Sequence, residues 1–118
     1  MENTIKILKN RAINHYRNSI FAKKAGENKK QEIASCTDPL SDYTKHQIVL
    51  AEHWDKRAAE SYAKMEAILE AIYEITNTEQ NLSSQWELQQ EITNTGRKLA
   101  LADYKKWEEE GTELEIGI

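Results

Sequence analysis

The sequence predicts an all-α fold, with three long helices in an up-down-up antiparallel, coiled-coil-like bundle that forms a single domain over residues 1–118. Three observations predict it. Apolar residues recur at alternating spacings of three and four over long stretches, as a buried stripe on a helix requires. Only one Pro and four Gly interrupt the 118 residues, so few positions force the chain to break. Apolar content of 39% beside 31% charged residues suits slender helices that bury one stripe and solvate the rest.

Helix one is expected over about residues 4–35. At 100° per residue, Ile5, Leu8, Ala12, Ile13, Tyr16 and Ile20 share one broad face. Gly26 is a possible break, because glycine favours the left-handed position that ends a helix, yet Ile33 and Ala34 keep the same face. Helix two is expected over about 39–75. Asp38 would cap it and Pro39 would take the first helical position, where a missing N–H loses no hydrogen bond. Leu50, Trp54, Ala58, Ser61, Met65, Ile68, Ile72 and Ile75 then follow spacings of 4, 4, 3, 4, 3, 4 and 3. Tyr62, Leu69 and Tyr73 widen that stripe enough for helix two to touch two other helices, of this chain or of a second copy.

The polar run Thr76 to Ser83 reads as a turn, and Ser84-x-x-Glu87 as a capping box opening helix three over about 84–110. Leu88, Ile92, Thr95, Leu99 and Ala102 form its stripe. Asn94-Thr95-Gly96 weakens the middle, since each is a poor helix former. Either the helix kinks at Gly96, or Gly96 admits another backbone at close range. Gly111 would end the helix and leave a short tail, 111–118.

Residues able to carry chemistry are few and scattered. Cys36 has no histidine near it in sequence to act as a base, and as the sole cysteine it excludes an internal disulfide. His46 and His53 lie two turns apart, and among positions three or four residues from either only Asp42 could join a metal site, which leaves too few ligands for one. Glu66, Glu70 and Glu74 recur every four residues, which is the pattern of a solvated helix face more often than of a metal site. The glycines stand singly, so no phosphate loop is present. The expectation is a non-enzyme without cofactor or metal. No apolar run approaches the ~18 residues of a membrane span. A cytoplasmic protein without membrane contact is expected.

Charge is unevenly distributed. Residues 1–30 hold eight basic side chains against two acidic, a net +6, while the remainder holds eight basic against eighteen acidic, a net −10. On helix one, Lys6, Arg17 and Lys24 fall within about 20° of each other, a row suited to tracking phosphates. The same row suits a second role, in which helix one lies against the acidic surfaces of helices two and three. The acidic balance favours the second, because the −10 portion repels a nucleic-acid backbone.

A second set of residues falls off the predicted core faces: Ile7 and Phe21 on helix one, and Leu101 on helix three with Trp86 and Tyr104 at its rim. Exposed aromatic and aliphatic side chains mark interfaces. Together these features point to a helical protein-interaction module acting by stoichiometric binding, as an inhibitor, adaptor or accessory factor of the kind common in phages and mobile elements. Its partners would be a protein and a second copy in a homodimer. The alternative is a nucleic-acid binder working through Lys6, Arg17 and Lys24.

Overall fold

A computed structural model describes residues 2–110, and these are 89% helical without strands. Helix α1 runs Glu2–Ala34, α2 Asp42–Thr76 and α3 Leu82–Glu110. The expected tail, 111–118, lies outside the described residues. Helix α1 packs against both α2 and α3, antiparallel to the first and parallel to the second, as up-down-up order requires. The molecule measures 55 × 26 × 22 Å, close to the length of its helices at 1.5 Å per residue.

The helix boundaries show which local signals win. Asp38-Pro39 does not start helix two. The Asp38 carboxylate accepts the Leu40 N–H at 2.9 Å, and its carbonyl accepts the Thr44 hydroxyl at 2.7 Å, which shapes a turn ahead of the helix. Ser41 is the N-cap instead, in an extended conformation with its hydroxyl accepting the Thr44 N–H at 3.1 Å. Similarly, the Ser84-x-x-Glu87 box does not open helix three. The Asn81 side-chain oxygen accepts the Ser84 N–H at 3.1 Å, and the helix starts at Leu82. Between them, Asn77 adopts a left-handed conformation with φ 57° and ψ 42°, and Thr78 N–H returns to the Tyr73 carbonyl at 2.9 Å, ending α2.

Neither interior glycine breaks its helix. Gly26 lies buried inside α1, and Gly96 inside α3. A Cβ on Gly96 would stand 3.2 Å from the Ile13 carbonyl oxygen, 3.3 Å from the Arg17 nitrogen and 2.8 Å from the Tyr16 ring. Gly96 therefore admits the α1 backbone, the second of its two expected roles. That approach moves the buried stripe of α3 to Ile92, Gly96 and Ala100, and leaves Thr95 and Ala102 exposed against expectation. Small residues do the same on α1, where Ala12, Ser19, Ala22, Ala25 and Gly26 are buried. The Ser19 hydroxyl donates to the Ala58 carbonyl at 3.0 Å across the α1–α2 seam.

Two apolar clusters hold the helices together. The first joins Ala12 and Tyr16 of α1 to Met65 and Leu69 of α2 and Ile92 of α3. The second sets Ala22 and Ala25 among Trp54, Phe21 and Trp107. The central helix is thus α1, not α2. Helix α1 covers the centre of the α2 stripe and leaves Tyr62 at its edge 45% exposed, while α2 and α3 scarcely approach each other.

Candidate functional site

The basic row is the first candidate surface, and α3 takes up most of it. The Arg17 guanidinium donates through Nε and Nη2 to both carboxylate oxygens of Asp103, a bidentate pair that raises the Arg17 pKa. Lys24 Nζ lies 5.2 Å from the centroid of the Tyr104 ring, within cation–π range. Lys6 alone of the three is exposed. Lys9 pairs with Glu91 at 2.8 Å, and Lys30 pairs with Asp55 of α2 at 2.8 Å. Three of the eight basic side chains of the first thirty residues are therefore paired with acids of the other two helices.

One basic grouping remains on the α1–α2 seam. His15 has its pKa lowered by burial first, then by the Lys64 and Arg11 charges that face it from α2 and from its own helix. Its neutral form is thereby favoured.

The off-face apolar residues separate into two groups. Phe21 and Tyr104, expected to be exposed, are half-buried and pack on each other with ring centroids 6.0 Å apart. Phe21 also meets Trp54 edge-on at 6.1 Å, and Tyr104 lies 5.3 Å from Trp107. The expectation treated each helix as straight and singly faced, whereas α1 turns its buried side between Tyr16 and Ala25. Ile7, Trp86 and Leu101 do stand in solvent, at 52%, 62% and 46% exposure. Leu82, one turn before Trp86, is 78% exposed and extends the Trp86 surface. Sequence reading missed it because it fell in the supposed turn.

A second feature escaped sequence reading. Because α1 spreads α2 and α3 apart, a cleft of about 270 Å³ opens between them. Tyr62, Met65, Leu69 and Tyr73 of α2 form its apolar side, with Glu66 and Glu70 on the same wall. Gln89 and Thr93 of α3 face them. Tyr16 stands beneath, its ring 6.4 Å from that of Tyr62 and its hydroxyl accepting from Arg97 at 3.2 Å. At the lower end Gln89 donates to the Tyr73 hydroxyl at 3.0 Å and closes the cleft. The available signal was the breadth of the α2 stripe, in which Tyr62 and Tyr73 exceed what one neighbouring helix covers.

For chemistry the arrangement offers little. Among the described residues, no group of three or more His, Cys, Asp or Glu side chains could hold a metal ion. The Cys36 thiol donates to the Glu32 carbonyl at 3.1 Å in the α1–α2 turn. No helix among the described residues is long and apolar enough to cross a membrane. No protein-family model, curated protein or solved structure matches the chain.

Proposed function

We propose that this chain is a non-enzymatic binding module that works by stoichiometric contact with another protein. One observation carries the reading: large apolar side chains remain in solvent on α3 at Leu82 and Trp86, while the basic row that would serve nucleic acid is largely engaged inside the chain. An exposed Trp is a favoured anchor, since it brings much apolar area at a low cost in side-chain entropy. Roles as an inhibitor, adaptor or accessory factor all fit such a surface.

The test is affinity capture from cell lysate with the full chain and with Leu82→Ser/Trp86→Ser. A complex of fixed stoichiometry formed by the first and lost by the second supports the reading. Equal capture by both, or none by either, removes it. A duplex-DNA shift assay run beside it addresses the alternative through Lys6, Arg17 and Lys24. Neutralising three phosphates would give a log–log salt slope of about −2.7.

A further inference from the structure

We propose that the cleft between α2 and α3 is a docking groove for a basic, amphipathic helix of a partner protein, an inference that rests on the interaction reading above and gives the partner its chemistry. The shape comes first. Tyr62, Glu66, Leu69 and Tyr73 follow spacings of 4, 3 and 4 along α2, the repeat with which one helix receives another. Gln89 and Thr93, four apart on α3, supply the opposite wall. Tyr62 to Tyr73 spans about 16 Å, which accommodates three turns of a docked helix. A helix laid there would contact both α2 and α3 and complete a four-helix bundle.

The charge pattern then selects the occupant. Acidic groups that face α1 are neutralised by it: Glu91 by Lys9, Asp103 by Arg17, Asp55 by Lys30. Glu66 and Glu70 are exposed, one helical turn apart, and form no ion pair with any described residue. They present a ladder to which Lys or Arg at i and i+4 of an incoming helix is complementary. The accessible apolar side of the groove is formed by the rings of Tyr62 and Tyr73, large surfaces on which aliphatic side chains of an incoming helix can pack. A second copy of this chain docked groove to groove by two-fold symmetry would set Glu66 and Glu70 against their own counterparts. A nucleic-acid strand would bring phosphates against the same carboxylates.

The probe is a synthetic 18-residue helical peptide with Leu at i, i+3, i+4 and i+7 repeats and Lys on both flanks, compared with a twin in which every Lys is Glu. Titrated into the isotopically labelled full chain, the basic peptide is expected to shift amide resonances of residues 62–73 and 89–93, and its acidic twin to leave them unmoved. Glu66→Lys/Glu70→Lys, on exposed positions that leave the thermal melt unchanged, should weaken the basic peptide by about tenfold. Tyr62→Ala, which deepens the groove without touching its charge, should weaken binding while keeping the preference for the basic peptide. Equal binding of both peptides, shifts confined to other surfaces, or no binding by a folded chain each overturn the inference. If it falls while capture dependent on Leu82 and Trp86 persists, the interaction reading stands without this groove. If that capture is also absent, both fall.

Discussion

Two glycines with the same local effect have opposite expected outcomes on substitution, because their neighbours differ. Replacing either Gly by Ala favours its helix by about 1 kcal/mol. At Gly26 the nearest obstacle is Asp55 Oδ1 at 2.9 Å, the end of a half-exposed side chain able to turn away, and the next contact, Trp54 Cβ at 3.5 Å, is ordinary. At Gly96 the obstacles are the Tyr16 ring in the core and the backbone of Ile13 and Arg17, which cannot turn. Gly26→Ala should therefore leave stability unchanged or raise it by up to about 1 kcal/mol, and Gly96→Ala should lower it by about 1–2 kcal/mol through overpacking. Urea unfolding of the two variants reads the difference. His15 gives a second outcome at this scale. Its folded pKa lies below the ordinary 6.5, so in that interval the unfolded chain binds the extra proton. Stability contributed by neutral His15 is complete above about pH 6.5 and is lost as pH falls toward the folded value. Melting curves between pH 5 and 8 should show this slope, and His15→Gln should remove its share.

The helices as elements were legible because stripes of Ile, Leu, Tyr and Trp at spacings of three and four persist over thirty residues, whichever neighbour they meet. Their ends were less so. Asp38, Ser41, Asn81 and Ser84 are all competent caps, and the choice between them depends on the turn that leads into each helix. Ser41 wins because Asp38 is held in the preceding turn by Leu40 and Thr44. Ser41→Ala should thus destabilise by about 1 kcal/mol in denaturant titration, the usual loss of a cap. The seam between α1 and α3 gives the element its register. Reversing Lys6, Arg17 and Lys24 together to Glu sets a carboxylate against Asp103 and removes the cation from the Tyr104 ring. The triple variant should melt roughly 5–10 °C lower, and Lys6→Glu alone should not change the melt. An unchanged melt in the triple variant, with duplex-DNA binding in the parent that the variant loses, would transfer the row to nucleic acid.

At the scale of the whole molecule, the order of the helices was legible and their arrangement was not. Helix length and short polar turns dictate up-down-up. Which helix is central depends on how closely backbones approach, and that is governed by Ala12, Ser19, Ala22, Ala25, Gly26 and Gly96, small residues that contribute little to an apolar stripe. With α1 in the centre, the off-face Phe21 and Tyr104 are packed within one chain, and Tyr62 at the edge of the broad α2 stripe lines the α2–α3 cleft. These were the features that pointed to a homodimer. Of the off-face residues, Ile7, Trp86 and Leu101 remain exposed beside Leu82, and Trp86 and Leu101 stand fifteen residues apart on α3, about 22 Å along its axis. Such spacing leaves among these four residues no continuous apolar face of the size that a stable two-fold interface buries, about 800 Å² per partner. Pairing through the α2–α3 cleft is opposed by Glu66 and Glu70 meeting their like. The expected species is a monomer, and sedimentation equilibrium should return the 13.7 kDa chain mass across micromolar concentrations. Its radius of gyration, 17.3 Å, exceeds the ~13.5 Å of a compact chain this long, so sedimentation velocity should show an elongated particle. A mass near twice the chain, abolished by Leu82→Ser/Trp86→Ser, would assign that surface to self-association and restore the homodimer.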